Sequence, residues 1–151
     1  MPVDIRREGG EAAVARVFGY LSGDGSGLEP ALDSRPALAF NLTTLAMLCG
    51  TPLMPGLAGH VVLIEEVSEH LYAIDRLLFH VSAHLGGVAG IRLGRVSAVP
   101  VNDRPFGQDA EQIVRHWCER TGITYLGRAD IGHDAANRIV PFGLAGRGEA
   151  Q

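Results

Sequence analysis

Val61-Val62-Leu63-Ile64 is an unbroken apolar run that stops abruptly at Glu65-Glu66. A run with no polar alternation has no face to give to water, so it reads as a strand buried on both faces, as in a covered parallel sheet. Open α/β sheets place their sites at the carboxyl ends of strands. Two acids at that end are therefore candidates for chemistry. Far downstream, Ile131-Gly132-His133-Asp134 sets a lone imidazole after another apolar segment. A carboxylate and an imidazole meeting at one rim would make two thirds of a hydrolytic triad.

The chain has 151 residues, enough for one domain with a real core. Its formal net charge of -4 argues against non-specific binding to nucleic acid or to an anionic membrane. No 18-residue apolar run is present, and the first residues lack the apolar centre of a signal peptide. Cys49 and Cys118 have no metal-type spacing between them. Both read as buried free thiols in a reducing, cytoplasmic setting.

Along the chain, Gly9–Leu21 reads as a helix with Ala13, Val17 and Leu21 on one face. The Gly-rich stretch 23–27 ends it. Pro36–Phe40 reads as a short extended piece. Asn41 reads as the N-cap of a helix over Leu42–Cys49, with Gly50 as its stop. The strand at 61–65 is followed by a helix from about Ser68 to His84, striped by Leu71, Ile74, Leu78, Val81 and Leu85. Gly90–Val99 reads as a strand. Asp109–Arg120 reads as a capped helix with Ile113, Val114, Trp117 and Cys118 facing the core. Ile123–Gly127 and Arg138–Phe142 read as the last two strands. Strand and helix alternate after residue 60, so the class is α/β with a partly parallel sheet.

Glu65 closes a buried strand, and a carboxylate there is costly unless paired or reaching water. His133 is either a loop imidazole bonded to backbone or a base. Together they allow Glu65 to accept the Nδ1 proton of His133 and fix its tautomer, leaving His133 to act as general base. Glu66 points to the opposite face of its strand, and Asp134 directly follows His133, so both are poorer partners. His80 and His84 have the i, i+4 spacing of zinc ligands. Val81 stands where a zinc peptidase needs Glu, and Arg76 shares their face, so the pair reads as solvated and no metal is expected. Tyr72, Asp75 and Arg76 either shape a substrate pocket or form an ordinary polar helix face. No nucleophile is evident, and no G-x-S-x-G elbow is present.

Several segments in order carry a resemblance. They are Asn41-Leu42-Thr43-Thr44-Leu45, Gly50-Thr51-Pro52, Leu63-Ile64-Glu65-Glu66-Val67-Ser68-Glu69, Tyr72-Ala73-Ile74-Asp75-Arg76, Gly90-Ile91-Arg92-Leu93-Gly94-Arg95, Gly132-His133 and Pro141-Phe142-Gly143. Over residues 37–143 they resemble the C-terminal domain of the LD-carboxypeptidases, a serine peptidase family that includes microcin C immunity proteins. That family usually has Gly-Gly where this chain has Ala39-Phe40.

The resemblance implies a swivelling β/β/α fold and a Ser-His-Glu triad without a cofactor. Glu65 maps onto the orienting acid and His133 onto the general base, with Tyr72 and Arg76 as substrate-contact candidates. The serine belongs to a separate N-terminal domain. The implied substrate is the peptidoglycan tetrapeptide, cut at its terminal D-Ala during cytoplasmic cell-wall recycling, and the implied assembly is a homodimer. Residues 1–36 are then an interdomain helix and linker, and 144–151 a flexible tail. The expectation is a chain inactive without its serine domain. The other reading is a non-catalytic muropeptide-binding or dimerisation module.

Overall fold

The computed structural model describes residues 8–143, so the tail expected over 144–151 lies outside the described residues. Four strands form one sheet in chain order: β1 (Ala37–Asn41), β2 (Val61–Val67), β3 (Gly90–Ser97) and β4 (Tyr125–Arg128). Every pairing among them is parallel. The α/β class holds, and the sheet is wholly rather than partly parallel.

Three helices return the chain between these strands: α2 (Leu42–Leu48), α3 (Leu71–Ser82) and α4 (Ala110–Thr121). Local chemistry starts two of them. The Asn41 side chain accepts from Thr44 N, and Asp109 with Gln112 forms a reciprocal capping box. The three helices pack side by side on one face of the sheet. Val62 and Ile64 point into that main core with Ile74, Leu78, Ile113 and Val114. Residues Val61 and Leu63 point the other way, into a smaller cluster with Ala37, Ala129 and Ile131. Alternation along β2 therefore buries both sides of the run. Loops rather than helices cover the second face.

Three expectations need correction. Arg138–Phe142 does not join the sheet as a strand; only isolated bridges form, Leu28 with Ile139 and Ala37 with Phe142. Pro141 has no N–H to continue a ladder. The first helix, α1 (Gly10–Leu21), forms as expected, but Val17, Phe18 and Leu21 stay exposed. Among the described residues α1 packs on no other helix or strand, and its stripe residues Ala13 and Val17 line an open cavity rather than a packed core. Cys118 is buried and its thiol is pushed up to about 11 by that burial, whereas Cys49 is only half-buried.

Candidate active site

Glu65 is the fifth residue of β2 and shares its face with Val61 and Leu63, so it points into the loop-covered side. Beside it the β2–β3 register slips. Ile64 faces Leu93 and Glu66 faces Val96, so two steps on β2 span three on β3. The extra residue lies at Gly94–Arg95, and such a bulge re-aims the side chains next to it. Gly94 also permits a close approach. A Cβ there would lie 2.6 Å from Ile131 Cγ1, 2.8 Å from the Ile131 carbonyl oxygen and 3.1 Å from Glu65 Cβ. The missing side chain lets the segment after β4 cross β3 and reach Glu65.

That segment carries His133 and is held from several sides. The Arg95 N–H donates to the Ile131 carbonyl at 2.8 Å, and Gly132 N–H donates to Asn137 Oδ1 at 2.9 Å. The Arg95 guanidinium bridges two carboxylates, giving Nη1 to Asp130 and Nε to Asp134 Oδ2 at 2.6 Å. Arg138 Nε adds a 3.1 Å bond to Asp130. Below, buried Glu29 accepts from Asp130 N–H at 2.9 Å. Asp134, the sequence neighbour of His133, is thus committed to Arg95.

The result is a pair. His133 Nδ1 lies 3.9 Å from Glu65 Oε1, with the acid side chain 11% exposed and the imidazole 40% exposed. That distance is too long for a hydrogen bond. Glu65 Oε2 is buried without a hydrogen-bond partner among the described residues. Burial pushes the Glu65 carboxyl up from its ordinary value, against the opposing pull of nearby Asn41 and His133. The pair opens on a cavity of about 510 Å³, whose wall includes Arg16 from α1, Phe40, Asn41 and Arg138.

A family model for the LD-carboxypeptidase C-terminal domain matches residues 36–147. This chain belongs to that family. It is 29% identical over 139 residues to a Synechocystis protein named as a carboxypeptidase, covering 87% of this chain and 46% of that one. Against a Bacillus subtilis protein named as a murein peptide carboxypeptidase it is 31% identical over 106 residues, covering 68% and 33%. Among solved structures, the muramoyltetrapeptide carboxypeptidase of Oxalobacter formigenes overlays with a TM-score of 0.69 at 22% identity, over 86% of this chain and 48% of that one. A microcin C7 self-immunity protein overlays with a TM-score of 0.62 at 14% identity, over 93% and 58%. These two likenesses speak for the fold. The chain spans about half or less of the length of the curated relatives it matches.

Within this LD-carboxypeptidase domain the other sequence-derived candidates go elsewhere. Tyr72 and Arg76 do not line the cavity. They sit exposed on α3, with the Tyr72 ring stacked on His70 and the Arg76 guanidinium 5.0 Å over that ring. Glu66 faces α2, where its oxygens accept from Asn41 Nδ2 at 2.6 Å, from both Thr43 N and Oγ1 at 2.8 Å, and from Val67 N at 2.9 Å. It holds the helix start.

Sequence reasoning missed Arg95, Asn137 and Gly94, which position the pair, and Arg16 and Arg138, which line the cavity. A Gly-Arg at the end of a buried strand was the available signal for Gly94 and Arg95. Nothing local marks Arg16. Chemically, the site brings an imidazole and a buried carboxylate to a cavity whose wall also carries Arg16, Arg138 and Asp134. No serine, threonine or cysteine among the described residues lines it.

Proposed function

We propose that this domain supplies the general base and the orienting acid of a serine-type LD-carboxypeptidase acting on a cell-wall tetrapeptide, with the serine presented by a separate N-terminal domain. Residues 37–143 form the contributing domain in this reading, and the reaction belongs to cytoplasmic peptide recycling. One observation carries it: Glu65 and His133 approach to 3.9 Å at the edge of a cavity whose described lining has no hydroxyl or thiol. A base and its acid face a space into which a nucleophile fits.

The chemistry follows from the atoms. Glu65 Oε1 accepts the Nδ1 proton of His133, which leaves Nε2 bare. As a serine Oγ attacks the carbonyl carbon of the L,D peptide bond, Nε2 takes the hydroxyl proton. The imidazolium that forms is stabilised by the Glu65 carboxylate. The C–N bond then breaks, and Nε2 gives the proton to the departing amine of D-Ala. Water repeats the sequence on the acyl ester and releases the tripeptide. The 3.9 Å contact must close by about 1 Å to become a hydrogen bond, and such contacts tighten in the substrate complex. Arg16 in the cavity wall offers a guanidinium for the free carboxylate of a carboxypeptidase substrate, whereas Arg138 is already paired with Asp130.

The test is hydrolysis of an L,D-tetrapeptide by this chain, alone and mixed with a Ser-bearing N-terminal domain of the family. The expected result is no D-Ala release alone and measurable release together. Two folded, associated halves with no release would overturn the proposal. So would release by this chain alone that survives His133→Ala.

A further inference from the structure

At the opposite end of the domain from the acid–imidazole pair, a second cluster forms. In this parallel sheet α2 and α3 each begin at the carboxyl edge of the strands and run back toward the amino edge. Cys49 is the C-cap of α2, His80 lies in the last turn of α3, and His84 follows just beyond its end. The His84 N–H donates to the Val81 carbonyl at 2.8 Å, a tight turn that folds His84 back over the helix end. The two imidazole rings sit 5.1 Å apart between centroids. One nitrogen from each ring and the Cys49 sulfur all lie within 4.8 Å of one another.

We propose that Cys49, His80 and His84 bind a zinc-class divalent metal ion that staples α2 to α3, with the fourth position taken by water. A thiolate with two neutral imidazoles is a donor set such ions accept, and His80 and His84 stand at the i, i+4 spacing of helical zinc ligands although His84 lies just past the end of α3. Zinc–nitrogen bonds of about 2.0–2.1 Å and a zinc–sulfur bond of about 2.3 Å put tetrahedral donors roughly 3.3–3.7 Å apart. The cluster needs a closure of about 1 Å, within reach of side-chain torsions because both histidines are exposed.

The obvious objection is Arg76, one turn before His80. Its guanidinium is drawn back over the Tyr72 ring, toward the start of α3 and away from the cluster. The C-terminal end of α3 adds the negative end of its dipole, which favours a cation there. Coordination replaces the Cys49 S–H bond with a sulfur–metal bond, and the proton passes to solvent. Half-buried Cys49 and the exposed rings leave an entry path.

Cobalt(II) alone, titrated into the full chain, is the direct probe. The expected result is one equivalent bound, with tetrahedral visible bands and a thiolate charge-transfer band in the near ultraviolet. Cys49→Ser should abolish the charge-transfer band, while Cys118→Ser and His133→Ala keep it. In a zinc competition assay His84→Ala should weaken binding at least about tenfold. As a second readout, zinc should raise the unfolding temperature of the wild type and of Cys118→Ser but not of His84→Ala. A band that survives Cys49→Ser, a band lost with His133→Ala, or no saturation at millimolar cobalt would overturn the assignment.

Discussion

Glu65 and Glu66 are adjacent in sequence and emerge on opposite faces of the same sheet. On the helix-covered face Glu66 is 3% exposed and accepts four hydrogen bonds, two of them from the start of α2. On the loop-covered face Glu65 keeps one oxygen buried and unpaired, with an imidazole at 3.9 Å. The same chemical group is satisfied on one side and held short of satisfaction on the other. Satisfaction stabilises a fold, whereas an unmet buried acceptor stores a demand that a protonated imidazole can meet. The difference separates a structural carboxylate from the one proposed for proton chemistry.

The contrast is sharpest under substitution. Glu66→Ala removes an acceptor shared by Asn41, both Thr43 donors and Val67, leaving donors unpaired at the start of α2 and the end of β2. We expect a loss of about 3 kcal/mol or more, read by urea unfolding. A loss under about 1 kcal/mol would mean that water replaces Glu66 freely and that the two faces are alike. Gly94→Ala comes next. The new methyl would meet the Ile131 carbonyl at 2.8 Å, and backbone cannot swing away as a side chain can. The expected cost is about 1–3 kcal/mol in unfolding, with a disproportionate loss of rate in the two-domain assay because Glu65 and the His133 segment are pushed apart. Unchanged stability and rate would show that the close crossing does not set the pair.

The smallest effect has the opposite sign. Burial lifts the Glu65 carboxyl above its ordinary 4.5, so the fold holds that proton more tightly than the unfolded chain does. Its contribution to stability is therefore complete below 4.5 and is lost as pH rises through the lifted value. Glu65→Gln should make the domain more stable at neutral pH, and the gain should vanish as pH falls toward 4.5. Thermal unfolding across that range checks it. A gain that grows in acid would reverse the assignment of burial as the dominant cause.

Much of this architecture was legible because it is local. The two-sided burial of β2 follows from Val61–Ile64, and the starts of α2 and α4 follow from Asn41 and Asp109. The candidate pair was legible because each residue ends an apolar segment. What escaped depends on tertiary approach. Ile139 and Val140 have strand propensity, but only neighbouring chain decides whether they find a partner. The stripe on α1 specifies an apolar face and says nothing of what covers it. His80 and His84 were visible as a pair, while Cys49 joins them only through the packing of α2 on α3. The role of Gly94 exists only once the segment bearing Ile131 crosses above it.

The proposed role of Glu65 is to hold His133 in one tautomer. Nitrogen-15 NMR of the His133 imidazole at neutral pH reads this directly, in the wild type and in Glu65→Gln. The expected result is a proton on Nδ1 and a bare Nε2 in the wild type, with that preference lost in the variant. A bare Nδ1 in the wild type, or a tautomer indifferent to Glu65→Gln, would contradict it.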